Sequence, residues 1–273
     1  MIPAPFSYVR ADSAEHAVEL LGRHGDEAKL LAGGQSLLPI LKLRLAQPGV
    51  LIDISRIADL SYIRVEGDEV AIGAATRHRD VVESEELRRE VPLLPHVAAF
   101  VGDRQIRHRG TFGGSLVHAD PAADLPCAVL ALGATFVVQG PSGQRRIDGG
   151  EFFQSYFQTA VAEDEMLVEV RVPRVAGVGW GYEKFTRRSN DWAIVAVAAV
   201  DGRVALANMG ETPLRATATE QALASGAGPA DAAASAAEGT APIEDMHADR
   251  EYRRHLAMVL TERTLTTAAS GTA

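Results

Sequence analysis

Two adjacent glycines interrupt the chain between an apolar stretch, Ala28 to Ala32, and a stretch of helical character, Leu37 to about Ala46. The short apolar run reads as a buried strand. Ala32-Gly33-Gly34-Gln35-Ser36 therefore joins a strand to a helix. Paired glycines let a backbone approach an anion without a Cβ in the way, and successive N–H groups at a helix start supply donors and partial positive charge. Ser36 is placed to cap that helix, and Pro39 falls in its first turn, where a missing N–H costs little. Alone, the pair reads slightly more readily as a plain turn, because Gly-Gly is common.

A second segment shifts that balance. Gly110-Thr111-Phe112-Gly113-Gly114-Ser115 reads as a loop with three glycines and two hydroxyls ahead of a helix. Two such loops within residues 1–175 suit a ligand with two linked phosphates and a sugar chain. Asp120 is placed to cap the next helix, with Pro121 at its first position, running to about Leu132. Asp124, one turn on, stands where a carboxylate accepts hydrogen bonds from sugar hydroxyls; by itself it reads as an exposed helix acid. A third cluster runs from Tyr182 to Trp192. There Lys184, a basic pair and an aromatic place cationic and stacking groups beside a planar anionic ring, or form a solvated hairpin turn.

Around these motifs the chain alternates short strands and helices. Val50 to Ile54 reads as a strand, Tyr62 to Val65 and Glu69 to Ile72 as a hairpin, and Thr76 to Val82, Glu85 to Glu90 and Leu93 to Val101 as helices. Thr135 to Gln139 and Gln144 to Ile147 flank a turn at Gly140-Pro141-Ser142-Gly143, and Met166 to Val172 is a strand. Val175 to Gly179 has linker character. Beyond it Trp180 to Phe185, Trp192 to Val200 and Arg203 to Asn208 suggest an antiparallel sheet. Helices are expected over Thr217 to Ala224, Ala230 to Ala237 and Asp249 to Thr266, with a frayed tail from Thr267. The expected division is 1–175, in subdomains of about 1–56 and 57–175, followed by 176–273.

Composition removes several classes. The 27 basic against 36 acidic residues, a net charge of −9, make a nucleic acid or an anionic membrane an unsuitable partner. No apolar run reaches the roughly 18 to 20 residues of a membrane helix, and the first residues lack the pattern of a secretory signal, so a cytoplasmic protein is expected. The single cysteine, Cys127, excludes an internal disulfide and any iron–sulfur cluster or Cys-rich zinc site held by this chain. It reads as a buried small hydrophobe. There is no G-x-G-x-x-G fingerprint, P-loop, H-E-x-x-H or G-x-S-x-G elbow. His78, His108 and His118 lie near the second glycine segment, each with a structural or solvated role.

Together these residues resemble the flavoprotein, or medium, subunit of molybdenum-containing hydroxylases, a family that includes carbon monoxide and xanthine dehydrogenases. The resemblance begins at Pro5-Phe6-Ser7-Tyr8 and takes in Leu31 to Pro39, Gln105 to Ser115, Asp120-Pro121-Ala122-Ala123-Asp124-Leu125-Pro126 and Tyr182 to Phe185. It ends with a helix like Tyr252 to Leu256. It implies an α+β fold: a vanillyl-alcohol-oxidase-type (PCMH-type) FAD-binding domain of two subdomains, then a C-terminal domain with a small antiparallel sheet and helices.

By the same resemblance Ala32, Gly33, Gly34, Gln35 and Ser36 wrap the FAD pyrophosphate. Thr111, Gly113, Gly114 and Ser115 hold the phosphates and ribityl chain. Val101 packs near the cofactor, Asp124 binds a cofactor hydroxyl, and Leu167 contacts it through its backbone. Lys184 lies near the isoalloxazine, and Trp192 covers the flavin face where relatives often carry tyrosine. Gln35 and Ser115 stand where relatives often have histidine and asparagine. The implied role is electron transfer. A molybdenum cofactor in a large subunit oxidises the substrate, and electrons pass through [2Fe–2S] clusters of a small subunit to FAD in this chain and on to an external acceptor, in a dimer of heterotrimers. The other reading is a stand-alone FAD-dependent oxidase or reductase of the same fold.

Overall fold

The computed structural model describes residues 2–271. Strand β1 (Ser7–Arg10), helix α1 (Ala14–His24), β2 (Ala28–Leu31), α2 (Leu37–Lys42) and β3 (Val50–Asp53) open the chain. The strands form a parallel sheet in the order β1-β3-β2. The Ser13 hydroxyl accepts from the His16 N–H at 3.1 Å and caps α1, whose Ala17, Val18, Leu20 and Leu21 bury themselves in one apolar cluster with β3. β1 has no counterpart among the expected strands, because its side chains are mostly exposed. Helix α2 stops at Lys42 rather than near Ala46, where Arg44 turns to φ 57°. Ser36 makes no side-chain cap, since its backbone is already helical (φ −96°, ψ −47°) whereas a capping residue is extended.

Next come β4 (Ile63–Glu66), β5 (Glu69–Gly73), α3 (His78–Glu83), α4 (Glu85–Glu90), α5 (Leu93–Ala99), α6 (Arg104–Arg109), α7 (Phe112–His118) and α8 (Asp124–Leu132). They are followed by β6 (Thr135–Gly140), β7 (Gly143–Asp148), α9 (Gly149–Phe152), β8 (Phe153–Ser155), β9 (Gln158–Thr159) and β10 (Met166–Pro173). A five-stranded antiparallel sheet results, in the order β4-β5-β10-β6-β7. Two expectations fail here. The second glycine segment is not a loop: Thr111 caps α7, and Gly113 and Gly114 lie in its first turn. Asp120 does not cap α8, which starts four residues later after Ala123. The Asp120 carboxylate instead accepts from the Ala122 N–H at 2.9 Å, closing a turn that Ala119 enters at φ 52°.

The chain ends with β11 (Trp180–Phe185), β12 (Val195–Val200), β13 (Arg203–Ala207), β14 (Leu214–Arg215), α10 (Thr217–Ala224), α11 (Pro229–Ala233) and α12 (Arg250–Ser270). Their antiparallel sheet runs β11-β12-β13-β14. All six residues of β12 are buried because both faces are covered. Val195, Val197 and Ala199 join α12 on one face, while Ala196, Ala198 and Val200 join α8 on the other. Every residue of α8 is buried between the two larger sheets. β12 begins at Val195, not Trp192, which lies in the preceding loop, and α11 ends at Ala233, short of Ala237. The expected frayed tail is helical to Ser270, with residues 272 and 273 outside the described residues. α12 lies directly on β11: a Cβ on Gly181 would meet the Thr264 carbonyl oxygen at 2.5 Å. Among the described residues, no helix is long and apolar enough to cross a membrane.

Candidate functional site

The turn after β2 and the start of α7 face each other at backbone distance. A Cβ on Gly33 would strike the Arg109 carbonyl oxygen and come within 2.8 Å of the Gly110 Cα. A Cβ on Gly113 would come within 2.6 Å of the Ala74 Cβ. Gly34 takes φ 72°, a left-handed conformation that side chains resist. The Arg77 guanidinium clamps the junction, donating to the Arg109 carbonyl and, at 3.3 Å, to that of Ser55.

The two glycine segments differ in their free donors. The amides of Gly33, Gly34, Gln35 and Ser36 have no protein acceptor among the described residues. Four consecutive unpartnered N–H groups at a turn into a helix form a nest suited to an anion. In the second segment the amides are already used. Phe112 N donates to Thr76 O at 2.8 Å, Gly113 N to Ala74 O at 2.9 Å and Ser115 N to Thr111 O at 3.1 Å. Gly114 N donates to the Thr111 hydroxyl at 3.2 Å. This segment offers hydroxyls and a bare, exposed Gly114 rather than a second row of amides.

Both segments open onto one cleft of about 460 Å³. The Asp124 carboxylate at its edge is 4% exposed and not the solvated helix acid its sequence position suggests. Tyr182 donates its hydroxyl to Oδ1 at 2.5 Å, and Lys184 Nζ lies 2.8 Å from Oδ1 and 3.0 Å from Oδ2. Burial pushes the Asp124 carboxyl above the ordinary carboxylate range, and Lys184 and Tyr182 pull it back. Burial first, then the Asp124 charge, holds the Tyr182 phenol far above its ordinary value. The His78 imidazole also lines the cleft; burial, then Arg107 and Arg77, lower it to about 4, so it is neutral at pH 7. Its Nδ1 has no partner among the described residues. β10 bulges between Leu167 and Glu169 where it borders the cleft, a local break in pairing of the kind that re-aims backbone.

The structure brings together every candidate named from sequence. Ala32, Gly33, Gly34, Gln35 and Ser36 form one wall, and Thr111, Gly113, Gly114 and Ser115 the facing one. Val101, Asp124, Leu167, Lys184 and Trp192 line the same cleft. Trp192 is 58% exposed on the rim loop between β11 and β12. Lys184 is not a free cation, because Asp124 pairs with it. His108 stays outside, 3.2 Å from Arg79 Nη1. Sequence reading missed three participants. Nothing local marks His78, or Arg77, whose guanidinium reaches the Arg109 carbonyl at the end of α6 and the Ser55 carbonyl after β3, and the pairing of Tyr182 with Asp124 spans 58 positions. The alternation along β11 carried one usable signal: Tyr182 and Lys184 fall on one face. Cys127 is buried as expected, its Sγ 3.2 Å from the Ala205 carbonyl.

Residues 4–175 match the profile of the FAD binding domain in molybdopterin dehydrogenase, and residues 180–268 that of the CO dehydrogenase flavoprotein C-terminal domain. The chain is 41% identical to the carbon monoxide dehydrogenase medium chain of Hydrogenophaga pseudoflava, over 98% of each. It is 39% identical to the 6-hydroxypseudooxynicotine dehydrogenase complex subunit alpha of Paenarthrobacter nicotinovorans, over 97% of this chain and 95% of that one. Superposed on a solved carbon monoxide dehydrogenase chain from Hydrogenophaga pseudoflava, it gives a TM-score of 0.95 at 42% identity, covering all of both. The two profiles end to end, with both glycine segments and the cleft between them inside the first, place the chain in the FAD-binding medium-subunit family of the molybdopterin dehydrogenases.

Proposed function

We propose that this chain carries FAD as the electron-transfer subunit of a molybdenum-containing hydroxylase in the cytoplasm. The observation that carries the reading is the row of four unpartnered amides at Gly33 to Ser36, facing the hydroxyls of Thr111 and Ser115 across one cleft. The donors suit the pyrophosphate, the hydroxyls and Asp124 suit the ribityl and ribose oxygens, and Leu167 and Val101 supply apolar contact. Asp124 retains lone pairs beyond those used by Tyr182 and Lys184, so it remains an acceptor. Bound FAD supplies a centre that takes electrons singly and passes them on in pairs.

This chain's own part is to bind, orient and shield. Gly33 lets the two walls meet at backbone distance, and Gly113 seats the start of α7 against Ala74, which together fix the width of the cleft. The Asp124–Lys184 pair adds a dipole at its edge rather than a bare charge. Trp192 limits access from the rim. With one cysteine in the chain, the [2Fe–2S] thiolates belong to a small partner subunit, and the molybdenum cofactor to a large one. A dimer of heterotrimers is the proposed assembly. The relatives' names, a medium chain and a complex subunit, support this reading over a stand-alone oxidase.

Co-expression with the small and large chains tests it. The purified complex should release one FAD per medium chain on acid precipitation and contain iron and molybdenum. An isolated chain that oxidises a small molecule without partners would overturn the assignment.

A further inference from the structure

The donors around the Asp124 carboxylate are divided unequally between its two oxygens. Oδ1 accepts from the Tyr182 hydroxyl at 2.5 Å and from Lys184 Nζ at 2.8 Å. Among the described residues Oδ2 accepts from Lys184 alone, at 3.0 Å. An ionised carboxylate offers about two lone-pair sites per oxygen. Oδ1 is therefore filled, and Oδ2 keeps a site free. Lys184 reaches both oxygens and does not distinguish them; Tyr182 does. Torsion about the Cβ–Cγ bond of an aspartate is soft and nearly two-fold, so hydrogen bonds rather than rotamer preference set the carboxylate plane.

Packing holds the Tyr182 ring where its hydroxyl can do this. The residue is buried and sits in β11 opposite Ala198 of β12. Its ring lies 5.4 Å from that of Phe100 and 6.3 Å from that of His96, edge to face in both cases. Phe100 directly precedes Val101, which lines the cleft. None of these contacts uses the hydroxyl, whose partner is Asp124. Tyr182 and Lys184 share a face of β11, two residues apart, so the strand delivers both donors together to the start of α8. Asp124 is the first residue of that helix, and its buried carboxylate has little water to turn to instead.

We propose that Tyr182 is a positioning residue for the cofactor: by filling Oδ1 it leaves Asp124 Oδ2 as the oxygen that accepts from a hydroxyl of FAD. The proposal rests on the FAD role given to Asp124 above. The same hydroxyl helps to keep the carboxylate ionised. Burial favours the neutral acid, and Lys184 and Tyr182 oppose it. An ionised carboxylate only accepts, whereas the acid carries a hydrogen that competes with an incoming hydroxyl. Cofactor binding is therefore coupled to loss of the Asp124 proton. The other titratable groups at this corner are Lys184, Cys127 one turn along α8, His96 on α5 and His118 at the end of α7. Burial raises the Cys127 thiol and lowers both imidazoles. Tyr182→Phe leaves all of them in place and keeps the ring for its contacts with Phe100 and His96.

Titration of the assembled complex, depleted of flavin, with FAD tests this, read by flavin fluorescence between about pH 5 and 8. Tyr182→Phe should weaken binding about tenfold at neutral pH, the worth of one hydrogen bond to a charged group. Binding should fall on acidification, and the fall should begin at higher pH in this variant than in wild type. Replacing Tyr182 by 3-fluorotyrosine, a stronger donor, should move the fall to lower pH. With Asp124→Asn in place, Tyr182→Phe should no longer shift the profile. Wild-type affinity and profile in Tyr182→Phe would overturn the proposal. So would weaker binding with an unshifted profile, which marks a structural role only. Should Tyr182→Phe not fold, the fluorotyrosine protein decides: a shift to lower pH upholds the proposal and an unshifted profile overturns it. A wild-type complex that takes up no FAD would instead overturn the FAD role.

Discussion

Lys184→Met removes the cation bonded to the Asp124 carboxylate, which is 4% exposed. The Tyr182 hydroxyl remains, but one neutral donor does not replace an ammonium at 2.8 Å. The carboxylate then takes up a proton. Protonating a group of ordinary pKa 3.9 costs about 1.4 kcal/mol for each pH unit above that value, so at most about 4 kcal/mol at pH 7 and about 1.5 kcal/mol at pH 5, and less relative to wild type, whose Asp124 carboxyl burial already holds above the ordinary range. This agrees with the loss of about 3 to 5 kcal/mol found when one partner of a buried pair is deleted. At roughly 2 to 4 °C per kcal/mol for a chain approaching this size, the melting temperature at pH 7 should drop, by at most about 8 to 16 °C. The sign with pH is fixed. In the variant the folded Asp124 pKa lies above the unfolded one, so the unfolded chain binds fewer protons and stability falls as pH rises through that interval. The deficit against wild type should therefore shrink on going from pH 7 to pH 5. The double variant Asp124→Asn with Lys184→Met should recover part of the loss and show no such pH dependence. Thermal denaturation of the three chains between pH 5 and 8 decides it. A single variant within 1 kcal/mol of wild type at pH 7, or a deficit that does not change with pH, would refute the buried-pair reasoning.

Gly33→Ala should lower FAD content after purification and cost about 1 to 3 kcal/mol in stability, because its Cβ meets the Arg109 and Gly110 backbone; Gly34→Ala should cost about 1 kcal/mol through its left-handed φ, with released flavin as the measurement for both. His78, lowered to about 4, makes the folded protein bind fewer protons than the unfolded chain between about pH 6.5 and 4, so stability should fall on acidification. His78→Gln should flatten that slope by up to about 1.4 kcal/mol per pH unit, read from urea midpoints at several pH values. Trp192→Ala should leave FAD content unchanged and alter the rate of flavin reoxidation in stopped-flow, because the side chain lies on the rim and is 58% exposed.

The series of strands and helices was readable because most elements carry their own period and punctuation. The alternation of β4 and β5 about Glu66-Gly67-Asp68, and of β6 and β7 about Gly140 to Gly143, follows from local turn chemistry. Errors fell where a tertiary contact overrides a local signal. Asp120 has the residue type of a helix cap, yet the following residues turn to bring Pro121 O to the Asn208 amide at 2.8 Å, and the helix waits until Asp124. Gly113 and Gly114 look like loop glycines. They begin a helix because Gly113 must press against Ala74 and Thr111 supplies the cap.

By itself, the sequence pointed to residue types that suit an anion and a sugar chain: two glycine pairs, two hydroxyls and an acid, spaced for one α+β domain. It also excluded this chain as the source of iron–sulfur thiolates, since one cysteine cannot supply them. Tertiary structure alone decided which of those groups are available. The Gly33 to Ser36 amides stay free because their turn packs against the Arg109–Gly110 backbone without hydrogen bonding to it, whereas the α7 amides are consumed by Ala74, Thr76 and Thr111. Lys184 became a paired rather than a bare cation only when β11 crossed the start of α8, joining residues 60 positions apart. Donor supply and charge depend on contacts distant in sequence, and a residue's own identity and near neighbours carry no record of them.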